Sequence, residues 1–164
     1  MPNINTTYMK KTLSIVLFSA TILLAACTKK SDDPVIPSNS WSLNGTEHVV
    51  ANTSRTIGPN SETAILYKDD TEGGKATVSL SFKTLPAASG SYQLVASNAS
   101  LTDNQCHITL TNDNGNTAYF TGDPVAVDVL VTANNQVIVN IPEINVAVPS
   151  PGDTYKFKAS LYEK

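Results

Sequence analysis

The stretch VAVDVLVT (residues 125–132), followed by ANNQ (133–136) and VIVNI (137–141), decides the fold. Apolar side chains recur at every second position in the first and third of these segments. Because alternate side chains of a strand point to opposite faces, a period of two predicts a half-buried strand in each. Asn134 and Asn135 tolerate the positive φ angles that a tight turn requires. The stretch therefore predicts a β-hairpin.

The same alternation continues through most of the chain beyond residue 40, and no stretch there has convincing helical spacing. We therefore predict an all-β fold of eight to ten strands, an antiparallel β-sandwich with a closed β-barrel as the alternative, because periodicity does not distinguish the two. We expect the first hairpin and the final strand to be edge strands that a partner chain could pair with. The other alternating runs are 77–83, 106–110, 144–148 and 155–161, with turn signals at Asn44-Gly45, Gly73-Gly74 and Asn114-Gly115.

A short apolar segment near the N-terminus predicts a signal peptide. It runs from Leu13 to Leu24 behind two lysines, and it is too short to span a bilayer comfortably as a helix. It ends in LAAC (residues 24–27), which resembles the lipobox of bacterial lipoproteins. We therefore expect the chain up to residue 26 to be the signal peptide. Met9 directly precedes the two lysines, so we expect translation to begin there rather than at Met1. An ordinary secretory signal cut at the same place is the alternative.

The lipobox resemblance implies that Cys27 becomes a lipidated N-terminus, held on a membrane leaflet by two or more acyl chains such as palmitate. Thr28 follows it where an aspartate would favour the inner membrane, so we expect the outer membrane. The tract KKSDD (residues 29–33) resembles the signal that exports lipoproteins to the cell surface in Bacteroidota. We expect residues 27–39 to be the lipidated cysteine and a flexible tether, and the domain to face the cell exterior, with the periplasm as the alternative.

The charge balance argues against nucleic acid as a partner. The chain has 11 Lys and Arg against 14 Asp and Glu, and loss of Lys10 and Lys11 with the signal peptide leaves nine against fourteen, a formal charge of −5. Arg55 is the only arginine, and the lysines of the domain are scattered. An acidic surface without a basic cluster does not favour a phosphate backbone. We therefore expect the membrane, through the lipid, and a protein or glycan ligand as partners.

The rest of the chain is enough for a single domain, residues 40–164, with its own core. Cys106 is the one cysteine left once Cys27 carries the lipid, so the mature chain has no internal disulfide. Stability must therefore come from apolar packing.

A wider resemblance begins at SWSLNG (residues 40–45). It is similar to the Trp-Ser/Thr-apolar-Asn-Gly opening of small Bacteroidota lipoproteins of unknown function, in which a first hairpin follows the tether. GSYQL (residues 90–94) resembles a strand entry of that family, and residues 141–148 and 159–161 resemble its closing strands. The resemblance implies a lipid-tethered β domain and no particular activity.

Several residues are candidates for ligand binding. Trp41 could stack on a sugar ring, but it shares a face with Leu43 at a period of two, so we favour a place in the core. NDNGN (residues 112–116) is rich in the oxygens that calcium prefers, but Thr121 stands where an EF-hand needs glutamate, so we predict a hairpin turn. We predict an exposed acidic turn at DDTEGG (residues 69–74). A weak calcium site is the alternative at either loop.

The mature domain holds few groups that could perform catalysis. His48, His107 and Cys106 are its only soft metal ligands or ready nucleophiles and bases. Cys106 and His107 are adjacent in a strand and so point to opposite faces, which predicts a buried cysteine and a surface histidine. No catalytic motif or phosphate-binding loop is present. We therefore predict no catalytic residues, no metal ligands, no cofactor and no enzymatic activity.

Together these patterns favour a membrane-anchored lipoprotein with a non-catalytic β domain, acting as a binding or structural module of the envelope. One alternative is a small carrier of apolar ligands, whose cavity would be lined by Val125, Val129, Val139 and Phe157. Another is a hydrolase with an unrecognised site, which would need a histidine within hydrogen-bond reach of a serine and a carboxylate.

Overall fold

A computed structural model describes residues 38–58, 61–69, 76–149 and 152–164 of the chain. Within these ranges most residues belong to β-strands, and no α-helix occurs. The strands are β1 (Ser40–Leu43), β2 (Thr46–Ile57), β3 (Thr63–Asp69), β4 (Thr77–Phe82), β5 (Gly90–Leu94), β6 (Gln105–Thr111), β7 (Thr117–Phe120), β8 (Val125–Val131), β9 (Val137–Ala147) and β10 (Thr154–Tyr162).

The strands form one sheet that closes on itself. The order of hydrogen-bonded neighbours is β10-β1-β2-β3-β4-β6-β5-β8-β9, and pairing of β9 with β10 closes this ring of nine strands. Beside the ring, β7 pairs with β6 on one side and with β9 on the other. Only the pair of β5 and β6 is parallel among the described pairs. The fold is therefore a closed β-barrel.

The all-β class and the number of strands confirm the prediction, and the architecture is the closed barrel that the sequence left open as the alternative. The prediction of edge strands is wrong. β1 pairs with β10 and β2, and β10 pairs with β1 and β9, because closure of the ring gives each of them a neighbour on both sides. The first hairpin and the final strand are thus not free to pair with a partner chain.

Tight turns with left-handed backbone lie at three of the predicted places. Asn44 and Gly45 have φ angles of 49° and 83° between β1 and β2, Gly115 has 79° between β6 and β7, and Asn135 has 58° between β8 and β9. Glycine has no Cβ to clash there, and asparagine tolerates this region better than most residues. The fourth predicted turn, Gly73-Gly74, lies outside the described residues.

Two bulges shift the phase of inward-facing residues. In β2, Val50 pairs with Asp69 and Asn52 with Lys68, so Ala51 is the extra residue. In β9, Pro142 and Glu143 together oppose Lys158 of β10. Each bulge moves the inward-facing positions from one parity of residue number to the other, which is what an inserted residue does to a period of two.

Apolar side chains fill the interior of the barrel. Alternate residues of every long strand point inward, and the buried ones form one cluster. At one end the rings of Phe82 and Tyr92 meet edge to face with centroids 5.5 Å apart. The largest fully buried side chains are Tyr67, Phe82, Phe157, Ile65, Leu80, Leu94, Ile108, Leu110, Leu161, Val50, Val78 and Val129.

The predicted signal peptide (residues 1–26), Cys27 and tether residues 28–37 lie outside the described residues. Asn39, at the end of the predicted tether, contacts the last strand. Its side-chain amide donates to the carbonyl of Tyr162 and its side-chain oxygen accepts from the Tyr162 amide, each at 2.8 Å. Contacts with β10 therefore begin just before β1.

Candidate functional site

A large open groove crosses the outer face of the barrel over β1, β9 and β10, with a volume of about 800 Å³. We call it the outer groove. Trp41 and Phe157 also border it, but both side chains belong to the buried core. Its outward-facing polar residues are Ser38, Ser40, Ser42, Glu47, Glu143, Lys156, Lys158 and Ser160.

The sequence of β1 explains why a depression forms there. Its outward residues are the short Ser40 and Ser42, whereas the strands on either side carry longer side chains. Ser42 lies directly between Glu47 of β2 and Lys158 of β10 in the strand register. Short side chains on a central strand, flanked by long ones, leave a channel along that strand.

One pair of opposite charges and a set of hydroxyl contacts line the outer groove. Lys156 Nζ donates to Glu143 Oε1 at 2.9 Å, and this hydrogen bond raises the pKa of Lys156 and lowers the pKa of Glu143. Ser40 Oγ donates to Glu47 Oε1 at 3.0 Å and lies 2.8 Å from Ser38 Oγ. The groove thus presents hydroxyls, carboxylates and ammonium groups together.

Beneath the groove, a polar cluster lies inside the barrel. His48 Nδ1 is 2.7 Å from Asp69 Oδ2, and the two residues are only 8% and 7% exposed. The His48 ring also stacks on Trp41, with centroids 5.2 Å apart and an interplanar angle of 11°. A carboxylate and an imidazole this deeply buried are stable only when paired. Trp41, 3% exposed, is a core residue as predicted.

The second histidine also has a carboxylate partner. His107 Nε2 lies 3.3 Å from Glu62 Oε2, and its buried Nδ1 has no hydrogen-bond partner among the residues that the structure describes. Burial lowers the pKa of His107, and the Glu62 charge partly opposes this. The prediction of a surface histidine is correct for the direction of the side chain but wrong for how much of it is exposed to solvent. His107 points away from the interior, yet its side chain is only 13% exposed.

Cys106 follows the prediction closely. It is fully buried in the core cluster and points inward, opposite to the neighbouring His107. Burial raises the pKa of its thiol to about 12. A thiol in this environment is a packing group rather than a nucleophile.

Arg55 follows the bulge in β2, and its side chain contacts the C-terminal segment. Its Nε donates to Glu163 Oε1, and its Nη2 donates to Glu163 Oε2 at 2.8 Å and to the Asn135 carbonyl at 2.6 Å. Glu163 also accepts from the Val137 amide at 3.1 Å. The nearby Tyr67 hydroxyl is buried and has no hydrogen-bond partner within the described ranges, and burial raises its pKa strongly. These contacts join β2 to the turn between β8 and β9 and to the C-terminal residues.

The predicted oxygen-rich loops serve the backbone. Asn112 Oδ1 accepts from the amides of Asn114 and Asn116 at 3.0 and 2.9 Å, which makes residues 112–116 the hairpin turn that we predict. The prediction of an exposed acidic turn is wrong for Asp69, because this residue ends β3 and is buried inside the barrel. The other residues of that predicted turn, 70–74, lie outside the described residues. Among described residues, no group of three or more His, Cys, Asp or Glu side chains could hold a metal ion.

Sequence reasoning missed the partners of both histidines and the outer groove. Asp69 precedes another aspartate and a glycine-rich stretch, so its composition indicated a turn. Glu62 lies before β3 with no apolar pattern around it. The three outward serines of β1 and β10 are the one signal that could have indicated a groove, since small residues there leave space at the surface.

Comparison of the chain with protein families, with curated proteins and with solved structures finds no match. No helix among the residues described is long and apolar enough to cross a membrane.

Proposed function

We propose that this chain is a lipid-anchored protein of the bacterial outer membrane, similar to the small Bacteroidota lipoproteins of unknown function. In this proposal Cys27 carries the acyl chains, and the barrel is a non-catalytic binding module at the cell surface. The outer groove is its binding site. The single observation that carries the binding role is this groove of about 800 Å³ on the outer face of a barrel whose interior is packed.

The position of the groove fits an anchored protein. Ser38, the first residue that the structure describes, borders the groove. Ten residues separate Cys27 from Ser38, and the eleven Cα–Cα steps between these two residues span at most about 40 Å when fully extended. The groove would therefore lie within that distance of the membrane surface, where envelope ligands are concentrated.

The packing of the interior favours a binding module over an apolar-ligand carrier. Val129, Val139 and Phe157 are fully buried in the core cluster, and Val125 packs against it. They fill the space that a carrier would leave for its ligand. The contacts of the histidines favour a non-catalytic role. Each has a carboxylate partner, but no serine among the described residues hydrogen-bonds to either one.

Metabolic labelling with an alkyne-bearing palmitate analogue tests the anchor. We expect the native protein to incorporate the label and to sediment with outer membranes. Cys27→Ala should lose both properties, and Cys106→Ala, the matched control, should keep both. An unlabelled native protein, or membrane sedimentation of Cys27→Ala equal to that of the native protein, would overturn the proposal.

A further inference from the structure

We infer that the outer groove binds an uncharged saccharide, the repeating unit of a neutral envelope or environmental polysaccharide. This inference rests on the proposed binding role of the groove and adds the chemical class of its ligand. It follows from the hydrogen-bonding groups, charges and size of the groove.

The hydrogen-bonding groups of the groove suit a polyhydroxylated ligand. Serine hydroxyls both donate and accept, carboxylates accept, and lysine ammonium groups donate. Ser42, Ser160, Glu47 and Lys158 place all three kinds on neighbouring strands around one depression. A sugar hydroxyl also donates and accepts, so it can satisfy any of these groups. An apolar ligand would displace water from these groups without replacing its hydrogen bonds, at a cost of about 1–3 kcal/mol for each group left unsatisfied.

The charges of the groove select against polyions. Its charged side chains are Glu47, Glu143, Lys156 and Lys158, two of each sign. Lys156 and Glu143 already neutralise each other at 2.9 Å. A polyanion would approach both carboxylates and a polycation both ammonium groups, and neither gains a net attraction. A neutral ligand does not incur this repulsion.

The size and shape of the groove fit a short stretch of glycan. Its volume of about 800 Å³ lies within the range of roughly 300–1,000 Å³ typical of small-molecule sites. The groove is open along the face of the barrel, so a polymer can continue beyond it. The ring of Trp41 is buried inside the barrel and does not supply a stacking platform. We therefore expect weak binding per site, reinforced when a polymer presents many copies of the same unit.

Native gel electrophoresis in gels that contain a polysaccharide tests the inference with the full chain carrying Cys27→Ala, which keeps every residue of the groove. The neutral probes are dextran, mannan, xylan and soluble starch, and polygalacturonate is the anionic comparison. We expect at least one neutral polymer to retard the protein and polygalacturonate not to.

Two substitutions locate the binding, each with a matched control. Ser42→Gln places a longer side chain in the groove and should lower the apparent affinity at least fivefold, whereas Ser91→Gln, on the exposed face of β5, should not change it. Lys158→Ala removes an exposed donor and should lower the affinity at least threefold, whereas Lys68→Ala, on β3, should not. Lys158 is exposed, so this second variant tests the site even if Ser42→Gln does not fold.

Retardation by no neutral polymer, retardation only by polygalacturonate, or neutral binding that neither groove variant weakens would each overturn the inference. The first two outcomes leave the anchor at Cys27 untouched, because palmitate labelling reports it separately. If the native protein does not incorporate the palmitate label but polysaccharide still binds, the proposed anchor is overturned and the saccharide site remains in place.

Discussion

His48 Nδ1 and Asp69 Oδ2 form a 2.7 Å hydrogen bond inside an apolar barrel, with the His48 ring stacked on Trp41. The pair joins β2 to β3 one step from the β2 bulge. Taking a carboxylate out of water costs several kcal/mol, and the hydrogen bond to His48 offsets part of this cost for Asp69. The cluster therefore stabilises the pairing of these two strands next to the bulge.

The first prediction concerns this pair. His48→Phe retains an aromatic ring next to Trp41 but leaves the Asp69 carboxylate without its imidazole partner. We expect the free energy of unfolding to fall by about 3–5 kcal/mol, as for other broken buried pairs. Urea denaturation followed by circular dichroism measures it.

The double variant His48→Phe/Asp69→Asn is the control. A neutral amide costs less to bury than a carboxylate that has lost its imidazole partner, so the double variant should recover part of the loss. Equal stability of the native protein and His48→Phe would show that the pair does not hold the strands together.

The second prediction is a pH dependence that comes from His107. Burial lowers its pKa below the ordinary value of 6.5, so between these two pKa values the unfolded chain binds more protons than the folded one. The free energy of unfolding should therefore keep its full His107 contribution above pH 6.5. It should fall as the pH drops from 6.5 to the lowered pKa of the folded state. The loss is at most about 1.4 kcal/mol per pH unit.

His107→Gln can still donate a hydrogen bond to Glu62 but does not titrate. Subtracting its urea midpoints between pH 7.5 and pH 5 from those of the native protein isolates the His107 contribution, because all other side chains are the same in both proteins. Parallel curves for the two proteins would be inconsistent with the lowered pKa.

The third prediction compares two ion pairs, Arg55 with Glu163 and Lys156 with Glu143. Arg55→Gln removes a bidentate contact to the largely buried carboxylate of Glu163, so we expect a loss of about 1 kcal/mol that shrinks in 1 M NaCl. Lys156→Gln removes an ion pair in which both side chains are more than half exposed, and should leave the melting temperature unchanged. Calorimetry of both variants checks this, and equal effects would contradict it.

The fourth prediction concerns the thiol of Cys106. It is fully buried and its pKa is raised to about 12, so little thiolate exists at neutral pH and reagents cannot reach it. In the Cys27→Ala variant, Ellman's reagent should react with no thiol under native conditions and with one thiol in 6 M guanidinium chloride. Rapid reaction of the folded protein would place Cys106 outside a packed core.

The sequence predicts the strands well because one face of each is buried. The apolar positions change from odd residue numbers up to Ile141 to even ones from Ile144, and this change corresponds to the β9 bulge. Closure of the barrel depends instead on Ser40 pairing with Ser160, at opposite ends of the domain. No local pattern encodes that contact, so the sequence leaves sandwich and barrel open.

The candidate sites were harder to predict for a related reason. The contact of His48 with Asp69 depends on the register of β2 against β3, which the bulge at Ala51 sets. The outer groove arises from outward residues such as Ser42, which a period of two marks only as facing solvent. Burial fixes the inner face of a strand, whereas the function of its outer face depends on which strands become neighbours.

The most direct test of the central claim, that Cys27 holds the barrel on the outside of the cell, is trypsin treatment of intact cells. Trypsin cleaves after lysine, and Lys29 and Lys30 lie between Cys27 and the barrel. We predict release of a soluble barrel with Ser31 at its new N-terminus, and no release from cells carrying Lys29→Gln/Lys30→Gln. Full protection of the native protein until the cells are lysed would contradict the claim.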